Sequence, residues 1–233
     1  ITARVFAAHG IHVYIYKTIQ PTPVLSYSVR ALNTYAGVMV TASHNPKVYN
    51  GYKAYGTSGS QILDEWADRI TANIEKVDDY SKIPMISFEE GFESGIIEWV
   101  PDENLENYKE KVLALTINDE EVDKNLNIIY SPLNGCGSKW VQRILKLRGF
   151  TNVHVVKEQE DPDPDFTTVG YPNPEDPKAF KLSEELGHKV GGEILIATDP
   201  DSDRVALEVL NKDGEYEFVN GNRIGILLVH YVL

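Results

Sequence analysis

Ile194-Leu195-Ile196-Ala197-Thr198-Asp199-Pro200-Asp201-Ser202-Asp203-Arg204 runs from an apolar stretch straight into three alternating aspartates. A short, uninterrupted apolar run of this kind is the signature of a strand with both faces covered by helices, so it places the chain in the α/β class. The residues before it keep the same alternation. Ile128-Ile129-Tyr130 reads as a strand, Lys139 to Leu147 as a helix stopped near Gly149, and Val153 to Val156 as a strand. Asp176-Pro177 starts a further helix with a side-chain cap and a first-turn proline, ending near Gly187.

The first half of the sequence repeats the scheme. Val13-Tyr14-Ile15-Tyr16 reads as a strand, and Pro21-Thr22-Pro23 opens a helix with Leu25, Val29 and Leu32 on one face. Gly37-Val38-Met39-Val40 is apolar throughout and is expected to be a strand covered on both sides. Ile62, Trp66, Ile70 and Ile74, spaced by four, mark another helix. Residues 78–100 are broken up by Asp78, Asp79, Pro84, Gly91 and Gly95; residues 102–115 form a charged amphipathic helix with Leu105, Tyr108 and Val112 on one face. The pattern predicts two consecutive α/β domains, residues 1–115 and 116–233, with largely parallel sheets flanked by helices.

Composition narrows the classes of function. The 233 residues hold 22 Lys and Arg against 35 Asp and Glu, a net charge of −13. That balance argues against a partner made of nucleic acid or an anionic membrane, whose phosphates it repels. No apolar run approaches the ~20 residues that span a bilayer. The single cysteine, Cys136, excludes an internal disulfide and a cysteine-only zinc cluster, which favours a reduced, cytoplasmic setting. Because the chain starts at Ile1 and stops at Leu233 within an apolar run, it reads as a piece of something longer.

Two segments carry the candidate chemistry, and each follows an apolar strand, where α/β sheets bind ligands. Asp199, Asp201 and Asp203 can point three carboxylates at one centre. Two carboxylates ~4 Å apart repel by roughly 4 kcal/mol at an effective dielectric of ~20. Three therefore call for a cation, and oxygen-only ligands favour Mg²⁺, Ca²⁺ or Mn²⁺ over Zn²⁺. A calcium loop is excluded, because Arg204 and Leu210 occupy its glycine and glutamate positions. The plain alternative is a solvated acidic turn, but the adjacent Arg204 is well placed to hold an anion. The second segment is Thr41-Ala42-Ser43-His44-Asn45-Pro46, whose Asn45-Pro46 turn leaves Ser43 at its mouth. Neighbouring side chains diverge on extended backbone, so a Ser43–His44 hydrolase pair is not expected. Thr41 and Asn45 also stand where a nucleophile elbow needs glycine. Lys53 follows in Tyr49-Asn50-Gly51-Tyr52-Lys53; a phosphate loop over Gly51 to Gly56 fails because Thr57 replaces its lysine. Gly135-Cys136-Gly137 reads as a plain turn at a helix start, and the remaining histidines show no ligand spacing.

Taken in order, these segments resemble the α-D-phosphohexomutases, in the bacterial phosphoglucomutase/phosphomannomutase branch. Pro21-Thr22-Pro23, Ser131-Pro132-Leu133-Asn134-Gly135 and Tyr171-Pro172-Asn173-Pro174-Glu175 add to the likeness. The resemblance implies a fragment of a four-domain enzyme: domain I, lacking its beginning, over 1–115, and domain II over 116–233. It implies a phosphoserine at Ser43 that trades its phosphoryl group with a hexose phosphate through hexose 1,6-bisphosphate, also the activator. Mg²⁺ would be held by Asp199, Asp201, Asp203 and the phosphate on Ser43. His44 and Lys53 would stabilise charge or handle the hydroxyl proton, and Arg204 would hold phosphate or sugar oxygens together with Lys53. Domains III and IV would supply the sugar-selecting and distal phosphate-clamping loops, so the 233 residues alone are expected to be inactive. Phosphoglucosamine or pentose phosphate mutase, a phosphatase, and a non-catalytic sugar-phosphate-binding remnant are the alternatives.

Overall fold

The second half of the chain builds one sheet, whereas the first half builds two. The computed structural model describes residues 1–233. In chain order the first half holds α1 (Thr2–Ala8), β1 (Val13–Ile15), α2 (Thr22–Ala31), β2 (Gly37–Val40), β3 (Tyr52–Tyr55), α3 (Asp64–Ile74), α4 (Phe88–Glu93), β4 (Ile97–Trp99) and α5 (Asp102–Leu113). The second half holds β5 (Ile128–Ser131), α6 (Ser138–Leu147), β6 (Val153–Val155), α7 (Lys157–Glu160), α8 (Lys181–Val190), β7 (Ile194–Thr198), β8 (Val205–Leu210), β9 (Tyr216–Val219) and α9 (Gly221–Val232).

The large sheet has the order β6-β5-β7-β8-β9. β5 pairs in parallel with both β6 and β7, as strands joined by helices must. From β7 onward the chain returns by short turns, so β7–β8 and β8–β9 are antiparallel. Under the sheet lies one cluster made of Ile129, Leu133, Val156, Ala179, Phe180, Leu195, Ala197 and Ala206. The helix opened by Asp176-Pro177 begins as a 3-10 turn, continues as α8, and ends at Gly191 with φ +76° rather than near Gly187. Gly187 instead lies inside α8, against Tyr216.

In the first half β1 pairs in parallel with β4, and β2 pairs antiparallel with β3. The α/β class is as expected, but the sheets are mixed rather than largely parallel, because hairpin-like returns link β2 to β3 and β7 to β9. β2 is not covered on both sides, since Val40 is exposed. The apolar stripe of α3 also faces outward: Trp66, Ile70 and Ile74 are exposed. The cores are small, with Ala3, Ala7 and Ile97 in one and Leu25, Val29 and Tyr55 in the other. Between the two small sheets the free sides of β1 and β2 line an apolar cavity of about 480 Å³. No helix is long and apolar enough to cross a membrane.

Candidate active site

The loop between β2 and β3 carries Ser43, and β3 brings Lys53 back opposite Met39. This loop folds tightly because Gly51 has no side chain; a Cβ there would come within 2.2 Å of the Thr41 carbonyl oxygen. Ser43 takes a left-handed backbone conformation, φ +52°, which is uncommon for a residue with a side chain. Its N–H donates to Thr41 Oγ1 at 2.9 Å. The kink also overturns one expectation. Ser43 is not extended, so its Oγ lies 3.3 Å from His44 Nδ1 instead of diverging from it.

The aspartate loop leaves the end of β7 and is braced from below by the turn after β5. Gly135 makes that contact possible, because a Cβ there would sit 2.3 Å from Pro200 Cα. Cys136 N–H donates to the Pro200 carbonyl at 2.9 Å. Gly135-Cys136-Gly137 therefore does lead into α6, and it also supports the acidic loop. Asp199 is fully buried. Its Oδ1 accepts the N–H groups of Asp203 and Arg204 at 3.1 and 3.0 Å. One oxygen from each of Asp199, Asp201 and Asp203 lies within 4.8 Å of the others. Burial, with the neighbouring Asp201 and Asp203 adding to it, pushes the Asp199 carboxyl up to about 7. A hard-oxygen set this crowded fits a divalent cation such as Mg²⁺, which would offset the repulsion.

The two loops meet. Ser43 Oγ donates to Asp199 Oδ2 at 2.9 Å and lies 3.3 Å from Asp201 Oδ1. Lys53 Nζ reaches Asp201 Oδ2 at 2.8 Å and Asp203 Oδ2 at 2.9 Å. Burial works against the Lys53 charge, but hydrogen bonds and attraction from both aspartates outweigh it and raise its pKa. His44 is shifted the other way, lowered by desolvation and then by the Arg204 charge, against weaker pulls from Asp201, Asp203 and Glu175. Tyr171 stands edge-on to His44 with ring centroids 6.4 Å apart. Arg204 gives only its backbone N–H to the loop; its side chain is exposed and makes no ion pair.

The structure thus brings Ser43, His44, Lys53, Asp199, Asp201 and Asp203 together, with Arg204 at the rim. Sequence reading missed Thr22, whose Oγ1 donates to Asp201 Oδ2 at 3.2 Å. The only signal for it was its place between two prolines.

Residues 1–81 match the family model for phosphoglucomutase/phosphomannomutase α/β/α domain I, and residues 106–212 match that for α/β/α domain II. Phosphoglucomutases of Staphylococcus epidermidis and Staphylococcus aureus are 38% and 36% identical over 99% of the chain, which covers 42% and 41% of their own length. A solved structure of a protein assigned as a phosphomannomutase, from Thermus thermophilus, superposes with a TM-score of 0.74 at 26% identity. That match covers 98% of this chain and 48% of the other. A phosphoglucomutase/phosphomannomutase family protein from Burkholderia thailandensis, 22% identical over 84% of this chain and 40% of its own, shares the fold with a TM-score of 0.61. The chain spans less than half the length of the curated relatives it matches.

Proposed function

The chain belongs to the phosphoglucomutase/phosphomannomutase family, and on that premise we propose that it supplies the phosphoserine and the cation loop of a hexose-phosphate mutase. We assign the family's two domains to residues 1–115 and 116–233. The reaction interconverts hexose 1-phosphate and hexose 6-phosphate, of glucose or mannose. A phosphoryl group on Ser43 passes to the free hydroxyl of the bound sugar phosphate: the Ser43 Oγ–P bond breaks and a sugar O–P bond forms. The resulting hexose 1,6-bisphosphate turns over and returns its other phosphoryl group to Ser43. The observation that supports this reading is the contact of Ser43 Oγ with Asp199 and Asp201, contributed by opposite halves of the chain.

Asp199, Asp201, Asp203 and the phosphate on Ser43 would hold Mg²⁺, which when bound would offset negative charge on the transferring oxygens. Lys53 stays protonated between two aspartates, so it balances charge and is no base. His44, held towards its neutral form 3.3 Å from Ser43 Oγ, is the group we assign to carry the hydroxyl proton. Arg204, with an unpaired guanidinium, suits a phosphate or sugar hydroxyl. Nothing else in these residues grips the far phosphate, so we place that clamp outside them and expect the 233 residues alone to turn over poorly.

The test is a coupled assay of the whole protein with Mg²⁺ and hexose 1,6-bisphosphate. Ser43→Ala should lose ~1000-fold or more in kcat while remaining folded. Wild-type turnover by that variant would refute the phosphoserine route, and release of free phosphate without isomerised sugar would show a phosphatase instead.

A further inference from the structure

Thr22 is the first residue of α2, lies between Pro21 and Pro23, and is 5% exposed. Helices begin with N–H groups that have no partner within the helix. Prolines have no N–H, so Thr22 owns the only backbone donor among residues 21–23. That donor goes to the Asp201 carbonyl oxygen at 2.9 Å, across 179 positions of sequence. The Thr22 hydroxyl goes to Oδ2 of the same aspartate at 3.2 Å. One residue thus holds both the backbone and the carboxylate of Asp201.

The second contact is one of two that hold the same carboxylate oxygen. Oδ2 is bound by Thr22 and by Lys53, the latter at 2.8 Å, which leaves Oδ1 turned towards Ser43 Oγ. Without the hydroxyl, the carboxylate could rotate about its own side chain while Lys53, on a flexible stem, followed it. Other contacts between the halves lie further from the loop: Trp140 Nε1 to Gln20 Oε1 at 2.8 Å, and Arg143 to Glu106 at 2.9 Å. Only Thr22 joins the helix of the serine-bearing half to a member of the acidic triad by its backbone and side chain together.

We propose that Thr22 is a positioning residue: its hydroxyl fixes the rotation of the Asp201 carboxylate, and its N–H fixes the height of the acidic loop against Ser43. This rests on the reading of Asp201 as a cation ligand. Residues that orient ligands in this way typically carry a 10- to 100-fold effect on metal affinity.

The test is calorimetric titration of the whole protein with Mg²⁺, for wild type, Thr22→Val, Thr22→Ala, Thr22→Ser and Asp201→Asn, with a thermal melt of each. Thr22→Val keeps the shape and the backbone N–H but not the hydroxyl. Mg²⁺ should bind it roughly tenfold more weakly than wild type, while Thr22→Ser returns to within about twofold because its hydroxyl can make the same bond. Thr22→Ala repeats the loss, so the proposal remains testable should the valine variant fold poorly. In turnover the loss should fall on kcat rather than on the KM for hexose phosphate. Equal Mg²⁺ affinity in wild type, Thr22→Val and Thr22→Ala, with Asp201→Asn weakened, would overturn the proposal and leave the cation loop standing. Wild type and Asp201→Asn alike failing to bind Mg²⁺ would overturn both.

Discussion

Behind Asp199 stands a five-stranded sheet whose apolar cluster joins eight buried side chains; behind Ser43 stands a two-stranded hairpin whose cluster is Leu25, Val29 and Tyr55. Isolated two-stranded pairs are marginal in water, whereas a larger sheet with a covered face is stable by itself. The two loops that meet at the site therefore rest on supports of different stiffness. The acidic loop is further braced by the close pass of Gly135 beneath Pro200 and by two N–H donors on Asp199. Both loops carry a left-handed serine, Ser43 at φ +52° and Ser202 at φ +54°, but residues 45–50 of the serine loop are exposed. A cation site benefits from rigidity, because its ligands must converge on one point. A nucleophile that gives and takes a phosphoryl group at two different hydroxyls benefits from some play. The difference in packing is what the proposed function would ask of the two loops.

The largest expected effect compares the core of the large sheet with the outward stripe of α3. Leu195→Ala removes a fully buried side chain from the centre of the large sheet and should cost about 3–4 kcal/mol. Trp66→Ala removes a half-exposed side chain from α3 and should change stability by less than about 0.5 kcal/mol in this chain. Denaturant titration of both variants measures this. Similar losses would mean that the exposed stripe of α3 carries as much stability as the core of the large sheet.

A smaller effect separates the two loops. A Cβ at Gly135 meets the Pro200 backbone at 2.3 Å, and one at Gly51 meets the Thr41 carbonyl oxygen at 2.2 Å. The clashes are equal on paper, but the supports are not. Gly135→Ala should cost about 2–3 kcal/mol because the braced loop cannot give way, and Gly51→Ala about 1 kcal/mol because the hairpin can. Equal costs would remove the difference in stiffness.

The smallest effect concerns Glu208 in β8. Alternation in Val205-Ala206-Leu207-Glu208-Val209 would by itself bury the valines and expose the glutamate; the structure does the reverse. Burial, and then the neighbouring Glu184, push the Glu208 carboxyl up to about 7. Glu208 therefore holds its proton more tightly folded than unfolded. The stability this gives is fully present below its ordinary value near 4.5 and is lost as pH rises through about 7. The wild-type melting temperature should fall by a few degrees between pH 5 and 8, and Glu208→Gln should flatten that fall. An unchanged slope in the variant would assign it to other groups.

The same contrast governs what the sequence disclosed. β5, β7 and α6 were legible because a well-covered sheet imposes continuous apolar runs and clear helical spacing. α4 and β4 hide in residues 78–100 because each is too short to show a period, although Ser87 and Glu90 form a capping box at the start of α4. β3 is masked by exposed Tyr52 and by Lys53, whose ammonium reaches Asp201 and Asp203 rather than a core. Asp199, Asp201 and Asp203 stood out because three alternating carboxylates after an apolar strand crowd charge, and Ser43 because it follows a strand in the same way; the structure brings the two segments into contact. Thr22 was not, because its role depends on a fold that brings it to Asp201 from 179 positions away. The Ser43–His44 contact was misjudged for a local reason: the left-handed turn at Ser43 has no marker among its neighbours.

The central claim is that Ser43 and the acidic loop form one phosphoryl-transfer site. The most direct measurement is the intact mass of the whole protein before and after incubation with hexose 1,6-bisphosphate and Mg²⁺, with peptide mapping of any added group. The account predicts one phosphoryl group, located on Ser43, absent from Ser43→Ala and acquired more slowly by Asp201→Asn. A protein that never gains the group, or one that carries it on another residue with Ser43 replaced, would contradict it.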